Sequence, residues 1–178
     1  LSFLSSSHSL SGLPFQIVCR AILESMDVGE EREQITTSGT GKSSHFLVAD
    51  RSGDALSMEF AGEKNTEINI HNANYIHTNH CINSFFNSDS IPGSEDRLAQ
   101  GYRDLEMHGD VGVEAMKRVL LHNGGEKYPI HADYKAEEMF GGLEVGTCAT
   151  VICDLKSNAL HIKKGPDTDA PFKTISIS

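Results

Sequence analysis

The chain has 178 residues, 38% hydrophobic and 22% charged, proportions ordinary for a globular protein with one core and read here as a single domain over 1–178. Its 15 basic and 25 acidic residues give a formal charge of −10, which disfavours nucleic acid and anionic membrane surfaces as main partners. No apolar run approaches the roughly 18 residues of a membrane span.

The opening LSFLSSSHSL lacks the basic stretch and cleavage pattern of a secretory signal, and lacks an initiating Met, so the chain is expected to begin in mid-protein. The four cysteines, Cys19, Cys81, Cys148 and Cys153, have no CxxC spacing. They read as reduced, buried thiols of an intracellular, cytoplasmic protein.

In chain order, the first clear element is a helix over 14 to 26, where Phe15, Val18, Cys19, Ile22 and Met26 fall on one stripe and Pro14 suits a first helical position. A polar helical stretch follows around 29 to 36. HFLVAD (45 to 50) and the alternating ALSMEF (55 to 60), joined by the turn DRSGD, predict a β-hairpin. TEINIHN (66 to 72) alternates again, and 74 to 78 reads as a further strand. Two helices are expected over 94 to 108 and 111 to 122, with stripes Leu98/Tyr102/Leu105 and Val111/Ala115/Val119/Leu120. Strands return at 148 to 155, at 159 to 163 after the turn KSN, and at 172 to 177. The Gly-rich, charged stretch 124 to 146 reads as a loop. This order is an α+β pattern of layered antiparallel sheets and helices.

Several stretches invite chemical readings. SGTGKSSH (38 to 45) lacks the first Gly of a phosphate loop, since position 36 is Thr, and it precedes a strand; it reads as a turn. His77 and His80, three apart, would lie on opposite faces of a strand, so no metal site is expected. There is no GxSxG elbow for a serine nucleophile. Cys81 adjoins His80 in sequence, but a nucleophile and its base need spatial contact, so Cys81 reads as a packed thiol.

Asn79 offers two uncharged N–H donors, suited to a developing oxyanion, although an Asn at a strand end is commonly a turn residue. Arg97 falls in the first turn of a helix capped by Ser94, where the dipole disfavours a cation. With Glu95 and Asp96 already complementing the dipole, Arg97 is expected to point elsewhere, toward a site or toward a nearby carboxylate.

GLPFQIVCRAILES (12 to 25), SSHFLVADRSGDALSMEF (43 to 60), YIHTNHC (75 to 81), SEDR (94 to 97) and CATVICDLKSNALHIKKGPDTDAPFKTISI (148 to 177) occur in that order. Together they resemble the acyl-coenzyme A:6-aminopenicillanic-acid acyltransferase (isopenicillin-N acyltransferase) family of N-terminal-nucleophile cysteine hydrolases, over nearly the whole chain. The resemblance implies an αββα sandwich, autocatalytic exposure of a Cys, and a Cys acyl-enzyme that passes its acyl group to water or an amine. It implies Asn79 as oxyanion donor and Arg97 as the Arg that holds the site.

It further implies a small-molecule amide or acyl-thioester substrate, with a coenzyme A thioester as candidate acyl donor and no resident cofactor. The family's nucleophilic Cys stands upstream of the GLP segment, and none of the four cysteines here matches it. The chain is therefore expected to be a C-terminal portion, inactive alone, whose exposed sheet edge and apolar face pair with the N-terminal segment of the same precursor or with a second copy. Thr147 or Cys148 stands where the penicillin-forming enzyme has an Arg, so general amide chemistry is expected over the penicillin-specific reaction. The competing expectation is a non-catalytic binding or structural module built on the same fold.

Overall fold

A computed structural model of the chain describes residues 2–3, 14–25, 27, 29–30, 32–33, 44–61, 64–71, 73–83, 91–109, 112–124, 127–167 and 169–177. They belong to two compact units, Leu1–Glu95 and Asp96–Ser178. Antiparallel sheets and helices occur in both, an α+β protein as the sequence pattern predicts. No helix among the described residues is long and apolar enough to cross a membrane.

In the first unit, β1 (Ser2–Phe3), β2 (Ser44–Ala49), β3 (Asp54–Ala61) and β4 (Lys64–His71) form one antiparallel sheet in that order. The β2–β3 register explains its two faces, because side chains alternate along a strand and paired residues share a side. Phe46 lies opposite Met58 and Val48 opposite Leu56, so this face is apolar. Phe46 meets Phe60 edge to face, with ring centroids 5.9 Å apart. Helix α1 (Phe15–Leu23) covers this side with Val18 and Ile22, and Cys19 packs against the same cluster. The side chain of Phe15 and all of Met26, two members of the expected stripe, lie outside the described residues.

The other face pairs His45 with Glu59 and Leu47 with Ser57. The expected hairpin turn is present: Asp50 N–H donates to the Asp54 carbonyl at 3.1 Å, and Gly53 takes φ +94°, a region closed to most side chains. Residues 29, 30, 32 and 33 are helical, which is the start of the polar helix expected at 29 to 36; its end, and residues 38–43 of the Gly/Ser turn, lie outside the described residues.

The strand expected over 74 to 78 is not one. These residues join no sheet. Tyr75 and His77, two apart and so on one side, use their side chains to dock on the polar face of β3. The alternation was real but served a contact from above the sheet, not a ladder at its edge.

The second unit holds most of α2 (Ser94–His108), all of α3 (Val113–Leu120) and two sheets. Strands β5 (Lys135–Glu137) and β6 (Leu143–Val145) pair as a hairpin within the stretch expected to be a loop. Both are three residues long and largely exposed, and a one-turn 3₁₀ helix, Glu138–Phe140, with two positive-φ glycines joins them. Three residues are too few for an alternating apolar pattern to be read as a strand.

Strands β7 (Ala149–Asp154), β8 (Ala159–Lys164) and β9 (Lys173–Ser176) form a meander close to the expected bounds. The turn KSN closes on Asp154, whose carboxylate accepts the Lys156 and Ser157 N–H groups at 3.1 Å, and Asn158 takes φ 51°. Thr150 and Ile152 point into the unit, and α3 lies against β7. Val151 and Cys153 point outward. Cys153 and Cys148 are therefore exposed, against the expectation that all four thiols are buried, because they occupy the outer face of β7 and its approach. Buried His131 donates from Nε2 to the Pro166 carbonyl at 2.6 Å, and buried Lys163 donates to the Asp167 carbonyl, so two polar side chains anchor the turn after β8.

Candidate active site

The part of the first sheet's polar face that carries His45, Ser57 and Glu59 is buried, and the segment that carries Asn79 docks on it. Ser57 and Glu59 project from β3 and His45 from β2, at positions opposite in parity to Leu56, Met58 and Phe60. His45 Nε2 lies 3.0 Å from Ser57 Oγ, which is 2.6 Å from the Tyr75 hydroxyl. Beside this chain, His77 Nε2 contacts Glu59 Oε1 at 2.8 Å, with both side chains only 3% exposed. The His45 and His77 rings stack with centroids 3.4 Å apart and planes 4° from parallel.

Burial sets the protonation of this group. It pushes His45 down to about 3, helped by neighbouring His77 and opposed by Glu59, so His45 is neutral near pH 7. Burial alone would raise Glu59, and it is the largest single influence. The hydrogen bonds from His77, Ile82 N–H and Asn83 N–H, with the charge of His77, together hold the carboxyl below its ordinary value. Glu59 Oε1 accepts from Ile82 N–H at 2.6 Å and Oε2 from Asn83 N–H at 3.1 Å. One buried carboxylate therefore grips the chain on both sides of Asn79.

A second anchor holds the middle of the segment. Asn79 N–H donates to Ser94 Oγ at 2.7 Å, and His80 Nδ1 lies 2.8 Å from the same oxygen. Thr78 Oγ1 donates to the Ser94 carbonyl at 2.9 Å and receives the Ser94 hydroxyl proton at 3.0 Å. A hydroxyl has one proton and two lone pairs. With the proton on Thr78 and one lone pair taken by Asn79, the bond to His80 is donated by an Nδ1–H. Ser94 is thereby fully used by residues 78–80 and does not cap the helix by its side chain, as the sequence suggested.

His77 and His80 diverge, one to Glu59 and the other to Ser94. Asn79 and Cys81 are both half-buried. Cys19 is the thiol packed on the apolar core, and burial raises it above its ordinary value, the opposite of what activates a nucleophile.

Arg97 belongs to the second unit and lies in the first turn of α2. It lines a small cleft with Asp96, Gln100, Tyr128, Pro129 and Ile130. Burial lowers Arg97 from its ordinary value and adjacent Asp96 partly offsets this; an arginine so placed stays cationic at neutral pH. A half-buried cation on a cleft wall suits an anionic or carbonyl-bearing group.

Glu59 and Ser94 are the site residues that sequence reasoning missed. A signal for Glu59 existed, since a lone carboxylate in ALSMEF sits on the face opposite three large apolar residues. For Ser94 the sequence predicts a helix cap, the usual role of a Ser before an acidic first turn.

A profile of the family described as Acyl-coenzyme A:6-aminopenicillanic acid acyl-transferase matches residues 1–164. The chain belongs to this family. No curated protein matches it.

Proposed function

We propose that this chain forms part of an acyltransferase or amidohydrolase that acts on a linear amide or acyl-thioester bond through a Cys acyl-enzyme. Membership of the acyl-transferase family over residues 1–164 carries the reading. The tethering of Asn79 supports its chemical detail.

In this reading a cysteine thiolate attacks the substrate carbonyl carbon, forming a C–S bond while the π electrons move onto oxygen. Asn79 donates an amide N–H to that oxyanion. Collapse breaks the C–N or C–S bond of the substrate, the leaving amine or thiol takes a proton, and the acyl group stays as a thioester. Water or an amine acceptor then attacks the thioester and restores the thiol. Arg97 is the arginine that the family resemblance assigns to holding the active site. The fold in this reading is the αββα sandwich of N-terminal-nucleophile hydrolases, and the nucleophile, with its α-amino group as base, is a cysteine other than Cys19, Cys81, Cys148 and Cys153. The 178 residues alone then turn over neither amides nor acyl thioesters.

Mass spectrometry of the full-length protein quenched during turnover of an acyl thioester tests this. The reading expects one acyl adduct on a cysteine outside these 178 residues. An adduct on any of the four cysteines here, or none on any cysteine, contradicts it.

A further inference from the structure

We infer that Glu59 is a positioning residue for the oxyanion donor, acting through the segment 77–83 and together with Ser94; this rests on the reading of Asn79 given above. A carboxylate buried in the middle of a sheet face is costly unless charged donors or several N–H groups meet it. Here three donors do so, and all three come from the one short segment: His77 two residues before Asn79, and Ile82 and Asn83 three and four residues after it. Ser94 fixes the main-chain N–H of Asn79 itself. The carboxamide is thus carried by a backbone gripped at both flanks and at its centre.

An oxyanion donor acts by being in place before charge develops, so freedom of this backbone reduces its contribution. A Gln at position 59 keeps the volume of the side chain but offers one acceptor oxygen, and sets an NH2 group against at least one of the three donors. The segment shifts without loss of the apolar core on the other face of the sheet, where Leu56, Met58 and Phe60 lie.

A double-mutant cycle in the full-length protein tests this, with kcat and KM measured from p-nitroaniline release by acyl p-nitroanilides. Glu59→Gln is expected to lower kcat roughly ten- to hundredfold with KM little changed, the effect of a misplaced catalytic group. In an Asn79→Ala background the same change is expected to cause no further loss, because the group it positions is gone. Multiplicative losses in the double variant, or an unchanged kcat in Glu59→Gln, overturn the proposal alone. An unchanged kcat in Asn79→Ala overturns both the proposal and the reading it rests on. If Glu59→Gln loses its cooperative unfolding transition, Ser94→Ala is taken through the same cycle, with the same expected and contrary results.

Discussion

The main-chain N–H of Asn79 donates to the hydroxyl of Ser94 at 2.7 Å, tying the centre of HTNHC to the first residue of α2. The Ser94 side chain also meets Thr78 and His80 and is almost fully buried, so three consecutive residues depend on one oxygen.

Replacing Ser94 by Ala leaves the Asn79 N–H and the His80 Nδ1–H without their acceptor. The expected loss is about 1–3 kcal/mol of stability, the usual cost of stranding buried polar groups. Urea unfolding of Ser94→Ala against wild type checks this, and an unchanged midpoint would mean that water replaces the hydroxyl.

The buried histidine of the same face gives a pH dependence. His45 has a folded value near 3, against 6.5 for the free side chain. Between those values the unfolded chain binds a proton that the folded chain excludes. Stability therefore rises with pH through this window, by up to about 1.4 kcal/mol per unit. Glu59, held below its ordinary value, acts in the same direction but only once the pH falls into the carboxylate range. Unfolding free energies between about pH 5 and pH 6.5 should consequently be less pH-dependent in His45→Gln than in wild type. Equal slopes would show that His45 takes up its proton in the folded state.

The opposite face of the sheet makes an independent prediction. Leu56 is wholly buried on the face of the sheet that α1 covers. Leu56→Ala is expected to cost about 2–5 kcal/mol through lost burial and the cavity left behind. Thermal unfolding measures it directly. A change well below that range would mean that α1 moves to fill the space.

Much of the secondary structure was legible because periodicity reports burial. The hairpin of β2 and β3, the 15 residues of α2 and the terminal meander all follow their apolar patterns closely. What periodicity could not supply is the identity of what covers a face. Ser57 and Glu59 alternate with apolar neighbours just as residues on a solvated face do, whereas Tyr75 and His77, 18 residues on, bury them. The same blindness made a strand of 74 to 78. Asn79 is a candidate from its chemistry and from the family resemblance alone, whereas the residues that anchor its segment, Glu59 and Ser94, are long-range partners that leave no local mark. The exposed hairpin of β5 and β6 offers only Leu143 and Val145 at alternate positions, too short a run to separate a strand from a loop.

The most direct test of the account is kcat for Asn79→Ala in the full-length protein, measured beside wild type on the same acyl p-nitroanilides. An oxyanion donor predicts a fall of roughly 10²–10³ in kcat with little change in KM. A variant that keeps the wild-type kcat would contradict the role assigned to Asn79.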